Sequence, residues 1–122
     1  MALPELESLP ELPPPYEILE LKPGETRRLT VVRWGIGRAV IHPRFPGAPR
    51  EKTVRVIRMW VPEEEKPLYP HYWDATAGTL VPQLYAILRD VGVPPHKAVI
   101  EITKVGAPPK ARFSVRLVEV IP

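Results

Sequence analysis

TRRLTVVRWGIGRAVIHPRFPGAPREKTVRVIR, residues 26–58, is the stretch of sequence that decides the fold. Apolar and polar residues alternate along much of it, which predicts β-strands whose successive side chains point to opposite faces. The stretch holds nine basic residues and one acidic residue, a net charge of 9 − 1 = +8, whereas the whole chain carries +3. Eight of the nine are arginines, and a guanidinium group matches phosphate and stacks on bases. We therefore predict a wide basic surface carried on paired strands.

Length and composition predict one small domain. The 122 residues are enough for a core, and 44% of them are hydrophobic. No apolar run approaches the roughly 20 residues needed to cross a bilayer. Residues 1–15 have neither the basic region nor the apolar region of a signal peptide. We therefore expect no membrane association, and a location in the cytoplasm or in a virus particle assembled there.

Rare residue types indicate a thermophilic source and argue against an enzyme. Asparagine is absent, Gln83 is the single glutamine, and 18 residues are proline, a pattern typical of proteins that work hot. Cysteine is absent, which excludes disulfides and thiolate metal sites. His42, His71 and His96 lack metal-ligand spacing, and no serine lies in a nucleophile motif. We predict no catalytic residues, no metal and no cofactor.

The N-terminus differs from the rest of the chain in charge and in proline content. Residues 1–25 contain six glutamates and one lysine, a net charge of 1 − 6 = −5. Prolines at this density prevent a helix and favour an extended chain. We divide the chain into a Pro-rich acidic arm, residues 1–15, and a β-barrel domain, residues 16–122. An acidic arm can fold back over its own basic body or dock on a neighbouring copy.

Hydrophobic periodicity predicts one helix among several strands. An apolar stripe with spacing i, i+4, i+7 and i+8 predicts a helix over Thr79–Val91, capped by Thr76 or Thr79 and ended by Gly92. Gly35-Ile36-Gly37 is interpreted as a tight turn between two strands. The apolar pattern changes phase at Val56-Ile57, which indicates a bulge or a strand buried on both faces. Strands are predicted at Tyr16–Leu21, Arg27–Trp34, Arg38–His42, Thr53–Val61, Ala98–Val105 and Ala111–Val120.

The order of these elements resembles that of a known fold. Without the arm it is three strands, a helix and two strands. Over residues 26–120 the body resembles small OB-fold single-stranded-DNA-binding proteins of viral and archaeal type, whose barrel face and loops bind oligonucleotides. The resemblance implies a mainly β protein with one helix, built as an OB-like antiparallel barrel of five to six strands. A β-sandwich with one helix would use the same elements.

The basic residues of the strands and loops form the predicted nucleic-acid site. Cations would neutralise phosphates while Trp34 and Phe45 stack on bases, and Trp60 is a further aromatic candidate outside the full candidate set. The bland alternative is a solvated thermophile surface in which arginines pair with Glu51 and the glutamates of residues 63–65. The full candidate set is Arg27, Arg28, Arg33, Trp34, Arg38, Arg44, Phe45, Arg50, Lys52, Arg55, Arg58, Lys110, Arg112 and Arg116.

Three functions follow from these patterns. The first is non-enzymatic binding of single-stranded nucleic acid, with ssDNA as the expected ligand. The second is a structural subunit, such as a virion coat or decoration protein, whose arm clamps a neighbouring copy. In that case a homo-oligomer would form through the arm and the aromatic patch at residues 68–73, since Tyr and Trp are enriched at interfaces. The third is an adaptor that binds a larger nucleic-acid machine.

Overall fold

The computed structural model describes residues 2–43, 46–107 and 110–122. The protein is mainly β with one helix, which confirms that part of the predicted fold class. Its strands form two three-stranded antiparallel sheets, β1-β5-β6 and β2-β3-β4. The elements are β1 (Thr26–Val31), β2 (Arg33–Ile41), β3 (Lys52–Trp60), β4 (Tyr72–Ala75), α1 (Val81–Val91), β5 (Lys97–Val105) and β6 (Arg112–Ile121).

The basic stretch at the start of the body supplies a strand to both sheets. β1 and β2 are separated by Val32 alone, so residues 26–41 form one bent extended segment. β1 pairs with β5 in one sheet and β2 pairs with β3 in the other. The Val32 amide donates a hydrogen bond to the Trp60 carbonyl at 2.9 Å, which holds the bend against β3. The five strand segments therefore run without interruption in the order β6, β5, β1/β2, β3, β4.

The predicted turn at Gly35-Ile36-Gly37 is wrong. Both glycines lie inside β2, opposite Arg58 and Val56 of β3, and the strand continues to Ile41. The chain reverses instead in the loop after Ile41, where Pro43 and Pro46 cannot donate ladder hydrogen bonds. The glycines serve a close packing contact, described below, and neither has the positive φ of a turn glycine.

The main core lies between the two sheets and α1. Leu84 and Leu88 of the helix stripe are fully buried, together with Ile57 and Met59 of β3 and Ile100 of β5. The helix and its stripe are confirmed, and Gly92 ends the helix with φ 80°. No side-chain hydrogen bond caps its first turn within the described residues. The Thr79 hydroxyl, one of the two predicted caps, instead accepts a hydrogen bond from the Phe113 amide at 3.2 Å.

The predicted hairpin of the last two strands is confirmed. β5 and β6 pair antiparallel, with a register shift between Val99 and Ile100. The helix caps the outer edge of β6 through Gln83, whose amide donates to the Phe113 carbonyl at 2.7 Å and accepts from the Val115 amide at 3.0 Å. One glutamine side chain thus serves the edge strand where a neighbouring strand would otherwise pair.

β3 is buried on both faces, which confirms the second reading of its phase change. Val56, Ile57, Arg58 and Met59 are consecutive and all buried. Ile57 and Met59 belong to the main core, whereas Val56 and Arg58 point to the other side of the sheet, which we call the outer face. The register of β3 is continuous with both neighbours, without a bulge.

The end of the N-terminal arm crosses that outer face. The arm pairs with the edge of β2, and the residues that follow it, 17–19, pair with the edge of β4. The Leu12 amide donates to the Arg38 carbonyl of β2 at 3.0 Å, and the Leu19 amide donates to the Asp74 carbonyl of β4 at 2.8 Å. Tyr16–Leu21 is not a strand as predicted, because only Ile18 forms a bridge there. Residues 17–19 hold the outer edge of β4 and α1 holds that of β6, so the described strands do not close a barrel and the OB-like barrel remains a prediction.

Candidate nucleic-acid interface

The outer face carries a cluster of cations and aromatic rings. Arg33, Trp60 and Tyr72 lie in one row across β2, β3 and β4. The Arg33 guanidinium carbon lies 4.0 Å from the centroid of the Trp60 ring, and that of Arg58 lies 4.0 Å from the Tyr72 ring. The Trp60 and Tyr72 rings meet edge to face at 5.6 Å. Guanidinium groups over aromatic faces form cation–π pairs, and we call these four residues the cation–aromatic cluster.

Arg58 is the buried member of this cluster. It forms a two-pronged ion pair with Asp74, with Nε–Oδ1 at 2.8 Å and Nη2–Oδ2 at 3.1 Å, and the two residues are 2% and 0% exposed. Burial by itself lowers the pKa of the Arg58 guanidinium, but the hydrogen bonds and charge of Asp74 outweigh burial and raise that pKa above its ordinary value. Burial also raises the pKa of the Tyr72 phenol, which keeps its proton to donate. The guanidinium is therefore a fixed positive charge.

Arm carbonyls complete the shell of Arg58. Its Nη1 donates to the Pro13 carbonyl at 2.8 Å and its Nη2 to the Pro15 carbonyl at 3.3 Å. The Tyr72 hydroxyl donates to the same Pro15 carbonyl at 2.5 Å. The Tyr16 ring lies 5.8 Å from the guanidinium carbon of Arg58. The arm thus contacts both the cation and the ring at the centre of the outer face.

Two more arginines of the predicted site donate to the arm. The Arg38 guanidinium donates to the Glu7 carbonyl at 3.1 Å, and that of Arg55 donates to the Pro4 carbonyl at 2.9 Å. These bonds go to main-chain oxygens and not to the glutamate side chains. Of these three arginines only Arg58 lies on the outer face, because alternation along β2 and β3 puts the paired residues Arg38 and Arg55 on the opposite face, where they contact the beginning of the arm.

Gly37 makes the close approach of the arm possible. A Cβ atom at Gly37 would lie 2.5 Å from Leu12 Cγ and 2.7 Å from the Pro10 carbonyl oxygen. Gly35 lies on the same face two residues earlier, and nothing lies within 4 Å of the corresponding position. The missing side chain is thus required at Gly37 and not at Gly35.

Other predicted cations lie in a separate row on the opposite sheet. Arg28 of β1, Glu101 of β5 and Arg116 of β6 are direct cross-strand neighbours, and Glu101 forms ion pairs with both arginines. Hydrogen bonds from Arg116 and then Arg28 lower the pKa of the Glu101 carboxyl. Arg27 forms an ion pair with Glu25 at 3.1 Å, and its guanidinium carbon lies 5.3 Å from the centroid of the Trp73 ring. These ion pairs agree with the alternative of a solvated surface. Their acids are Glu25 and Glu101, however, and not Glu51 or the glutamates of residues 63–65.

Among the predicted cations that the structure describes as exposed, four contact neither a carboxylate nor an aromatic ring. Their side chains have no ion pair or hydrogen bond within the part of the chain that the structure describes: Arg50, Lys52, Lys110 and Arg112. By alternation along β3, Lys52 shares the outer face with Arg58. Arg44 and Phe45 lie outside the described residues.

The aromatic residues differ from those that the sequence pattern selects. Trp34 packs against the main core and meets Tyr85 of α1 edge to face at 5.8 Å. Trp60 and Tyr72, which the candidate set omits, lie on the outer face. The alternation of side chains along β3 puts Trp60 on the same face as Arg58, because the two residues are two positions apart. Nothing in the sequence pairs Tyr72 with Trp60, because β4 is itself unpredicted.

No group of three or more His, Asp or Glu residues in the described ranges is arranged to hold a metal ion. In the same ranges, no helix has the length and apolar character needed to span a membrane. The chain matches no family model, and comparisons with curated proteins and with solved structures gave no match. What the outer face can do chemically therefore rests on its own geometry.

Proposed function

We propose that this protein binds single-stranded nucleic acid, without catalysing a reaction, through the outer face of sheet β2-β3-β4. The observation that carries the proposal is the cation–aromatic cluster of Arg33, Trp60, Arg58 and Tyr72. Proteins that bind single strands without sequence preference combine a basic groove with aromatic side chains, and each stacked base contributes about 1–3 kcal/mol. Trp60 and Tyr72 are the stacking residues in this proposal, and Arg33 and Arg58 contact phosphate.

The strand path supports the same function. We infer that the strand order β6, β5, β1/β2, β3, β4, with α1 between β4 and β5 along the chain, corresponds to the path of an OB-like barrel, which the described strands do not close. OB-folds are partly open five-stranded barrels that bind oligonucleotides on the face of strands 2 and 3 and on neighbouring loops. In this chain the corresponding strands are β3 and β4, which carry Arg58, Trp60 and Tyr72.

Exposed cations extend the site along the backbone of a ligand. Lys52 and Arg50 lie where the β2–β3 loop meets β3, at the far end of the outer face from Trp60. Lys110 and Arg112 lie on the other sheet, at the β5–β6 turn, and are not part of the outer face. Cations without carboxylate partners are free to contact phosphates and release counterions. Arg28 and Arg116, which share Glu101, contribute less.

The test measures binding of labelled single-stranded DNA and RNA oligonucleotides across a salt series. The logarithm of the affinity should fall linearly with the logarithm of the salt concentration, by about 0.7 for each phosphate contacted. Arg33→Gln should reduce that slope by about one contact. Lys22→Gln removes a charge in the turn before β1, at the end of β1 opposite to Arg33, and should leave the slope unchanged. The function is rejected if neither the native chain nor the arm-displaced variant described below binds at low salt.

A specific surface favours the assembly role as a second candidate. Leu68 and Tyr69 are 81% and 76% exposed at the tip of the connection before β4. Buried Lys66 organises this tip, because its ammonium donates to the Leu68 carbonyl at 3.4 Å and to that of Pro70, and pairs with Glu17. A fixed apolar tip fits a protein contact. If this tip joins copies of the chain, the native chain is an oligomer by sedimentation and Leu68→Ser with Tyr69→Ser makes it monomeric; a native monomer rejects the role.

A further inference from the structure

We propose that residues 2–16 of the arm compete with nucleic acid for the outer face and must leave it for tight binding. The inference rests on the proposed function and adds its regulation. The arm crosses the position that a ligand would occupy, between an edge contact at β2 and another at β4. The native chain would then exist as a covered form and an open form, and nucleic acid would bind the open form.

The arm satisfies the same donors that a phosphate backbone would satisfy. On the outer face, the Arg58 guanidinium donates to the neutral carbonyl oxygens of Pro13 and Pro15 at 2.8 and 3.3 Å, and the Tyr72 hydroxyl also donates to Pro15. Hydrogen bonds from guanidinium to an ionised phosphate are shorter and stronger than those to a neutral acceptor. Exchange of residues 13–15 for a phosphate backbone therefore leaves Arg58 with an acceptor.

The arm also occupies the place of stacked bases. The Pro15 carbonyl accepts from the Tyr72 hydroxyl, and the Tyr16 ring lies beside Arg58. A base that stacks on Tyr72 needs the space that residues 13–16 fill. Arm and ligand thus exclude each other at the cation–aromatic cluster.

The arm is held loosely compared with the segment that follows it. Within residues 2–16 only Leu9 is buried. A cavity of about 440 Å³ remains between the arm residues Leu6, Glu7 and Glu11 and the β2 residues Arg38–Val40. Leu3 packs against the main core but stays partly exposed, whereas Leu19 and Leu21 are buried members of it. The arm can therefore detach as far as residue 16 while its base stays anchored.

The charge of the arm acts in the same direction. Residues 2–16 contain three glutamates and no basic residue, and Glu5, Glu7 and Glu11 are all exposed. Within the described residues none of the three forms an ion pair. Their carboxylates repel the phosphates of an approaching strand while the arm is in place.

One position allows the arm to be released or fixed. Gly37→Ala places a methyl group against Leu12 and the Pro10 carbonyl and should displace the arm, which limited proteolysis within residues 2–16 detects. Gly35→Ala adds the same methyl group in open space and should leave the arm protected. The pair Glu11→Cys with Arg38→Cys fixes the arm when oxidised, because the two residues are β-bridge partners at a spacing that suits a disulfide and the native chain has no cysteine to mispair.

Oligonucleotide affinity is then measured for the native chain, Gly37→Ala and the oxidised double-cysteine variant. The expected order is weakest for the oxidised variant and tightest for Gly37→Ala. An apparent Kd is the intrinsic Kd divided by the open fraction, so a native chain open about one tenth of the time gains about tenfold on release. Reduction of the double-cysteine variant should restore binding.

The outcomes separate the two proposals. Equal affinity in all forms overturns the competition and leaves the function standing, and weaker binding after release shows that the arm belongs to the site, which also overturns it. Absence of binding in both the native and the released chain rejects the function itself. If Gly37→Ala does not fold by circular dichroism, the oxidised variant decides, because fixing the arm must then weaken binding below the native value.

Discussion

Arg58 connects three parts of the molecule through one planar group. Its guanidinium bonds Asp74 of β4 and two carbonyls of the arm, and lies against the Tyr72 ring. A buried ion pair is weak evidence for net stability, because desolvation opposes the attraction of the charges. Loss of one partner is costly, because the other charge remains buried without compensation.

Asp74→Asn therefore tests how strongly the fold depends on this pair. The change keeps the shape of the side chain and removes its charge, and should lower the free energy of unfolding by about 3–5 kcal/mol. Urea denaturation followed by tryptophan fluorescence measures it. Asp90→Asn is the same substitution on the exposed surface of α1 and should change stability by less than about 0.5 kcal/mol. Similar small effects at both positions would contradict the account of Arg58.

Single residues were the hardest part of the site to predict. The sequence marks Arg58 as one of nine similar cations, whereas the structure buries it and leaves Arg50 exposed. Burial of Arg58 depends on Asp74 and on Pro13, which lie 16 and 45 residues away along the chain. No local pattern carries that information. Trp34 and Trp60 likewise differ only in which face of the sheet they occupy.

Side chains of α1 and of the turn before it cover the outer edge of β6. Gln83 and Thr79 meet the Phe113 and Val115 backbone of β6 at the positions where a further strand would pair. Uncovered edge strands invite pairing with other chains, and native proteins protect them. A single glutamine in a chain without asparagine thus has a defined structural task.

Gln83→Met tests this task with a side chain of similar length. Two backbone groups of β6 lose their partners, so the free energy of unfolding should fall by about 1–3 kcal/mol. Amide hydrogen exchange at Val115 should accelerate. Thr79→Val removes one acceptor and should cost less than Gln83→Met, without affecting Val115. Unchanged exchange at Val115 in Gln83→Met would show that the contact does not protect the edge.

Elements with strong local patterns were predictable. The period of α1, the αL glycine at Gly92 and the alternation of β5 and β6 gave those elements close to their observed bounds. β4 is four residues long and is fixed by pairing with β3, so its sequence carries little signal. The turn predicted at Gly35 and Gly37 is wrong because glycine is typical both of turns and of close backbone approach within a strand. Only the arm, distant in sequence, distinguishes the two at Gly37.

At the scale of the whole molecule, the predicted order of elements agrees with the structure at β3, α1, β5 and β6. Residues 26–41 form one bent segment where two paired strands were expected, and β4 supplies the third strand before the helix. The bent segment of residues 26–41 joins the two sheets, as a barrel requires. Closure depends on what lies along the edges of β4 and β6, and those edges are taken by residues 17–19 and by α1. The predicted single basic trough is likewise divided between the outer face, the Glu101 row and the loops.

Composition and covered edges together predict resistance to heat. Asparagine is absent, 18 residues are proline, and within the described residues no buried side-chain polar atom lacks a hydrogen-bond partner. We expect a calorimetric midpoint above the roughly 45–65 °C typical of mesophilic domains. A midpoint inside that range, measured at two scan rates to exclude irreversible loss, would contradict a thermophilic source.

Translation gives the position of the arm a temporal meaning. The ribosome makes residues 10–19 before β2 and well before β4, so this segment also leaves the ribosome first. When β2 and β4 emerge, the segment that pairs with their edges is therefore already present on the same chain. Nascent chains crowded on one messenger would cross-pair less readily, because the intramolecular partner is present at high effective concentration from the first moment.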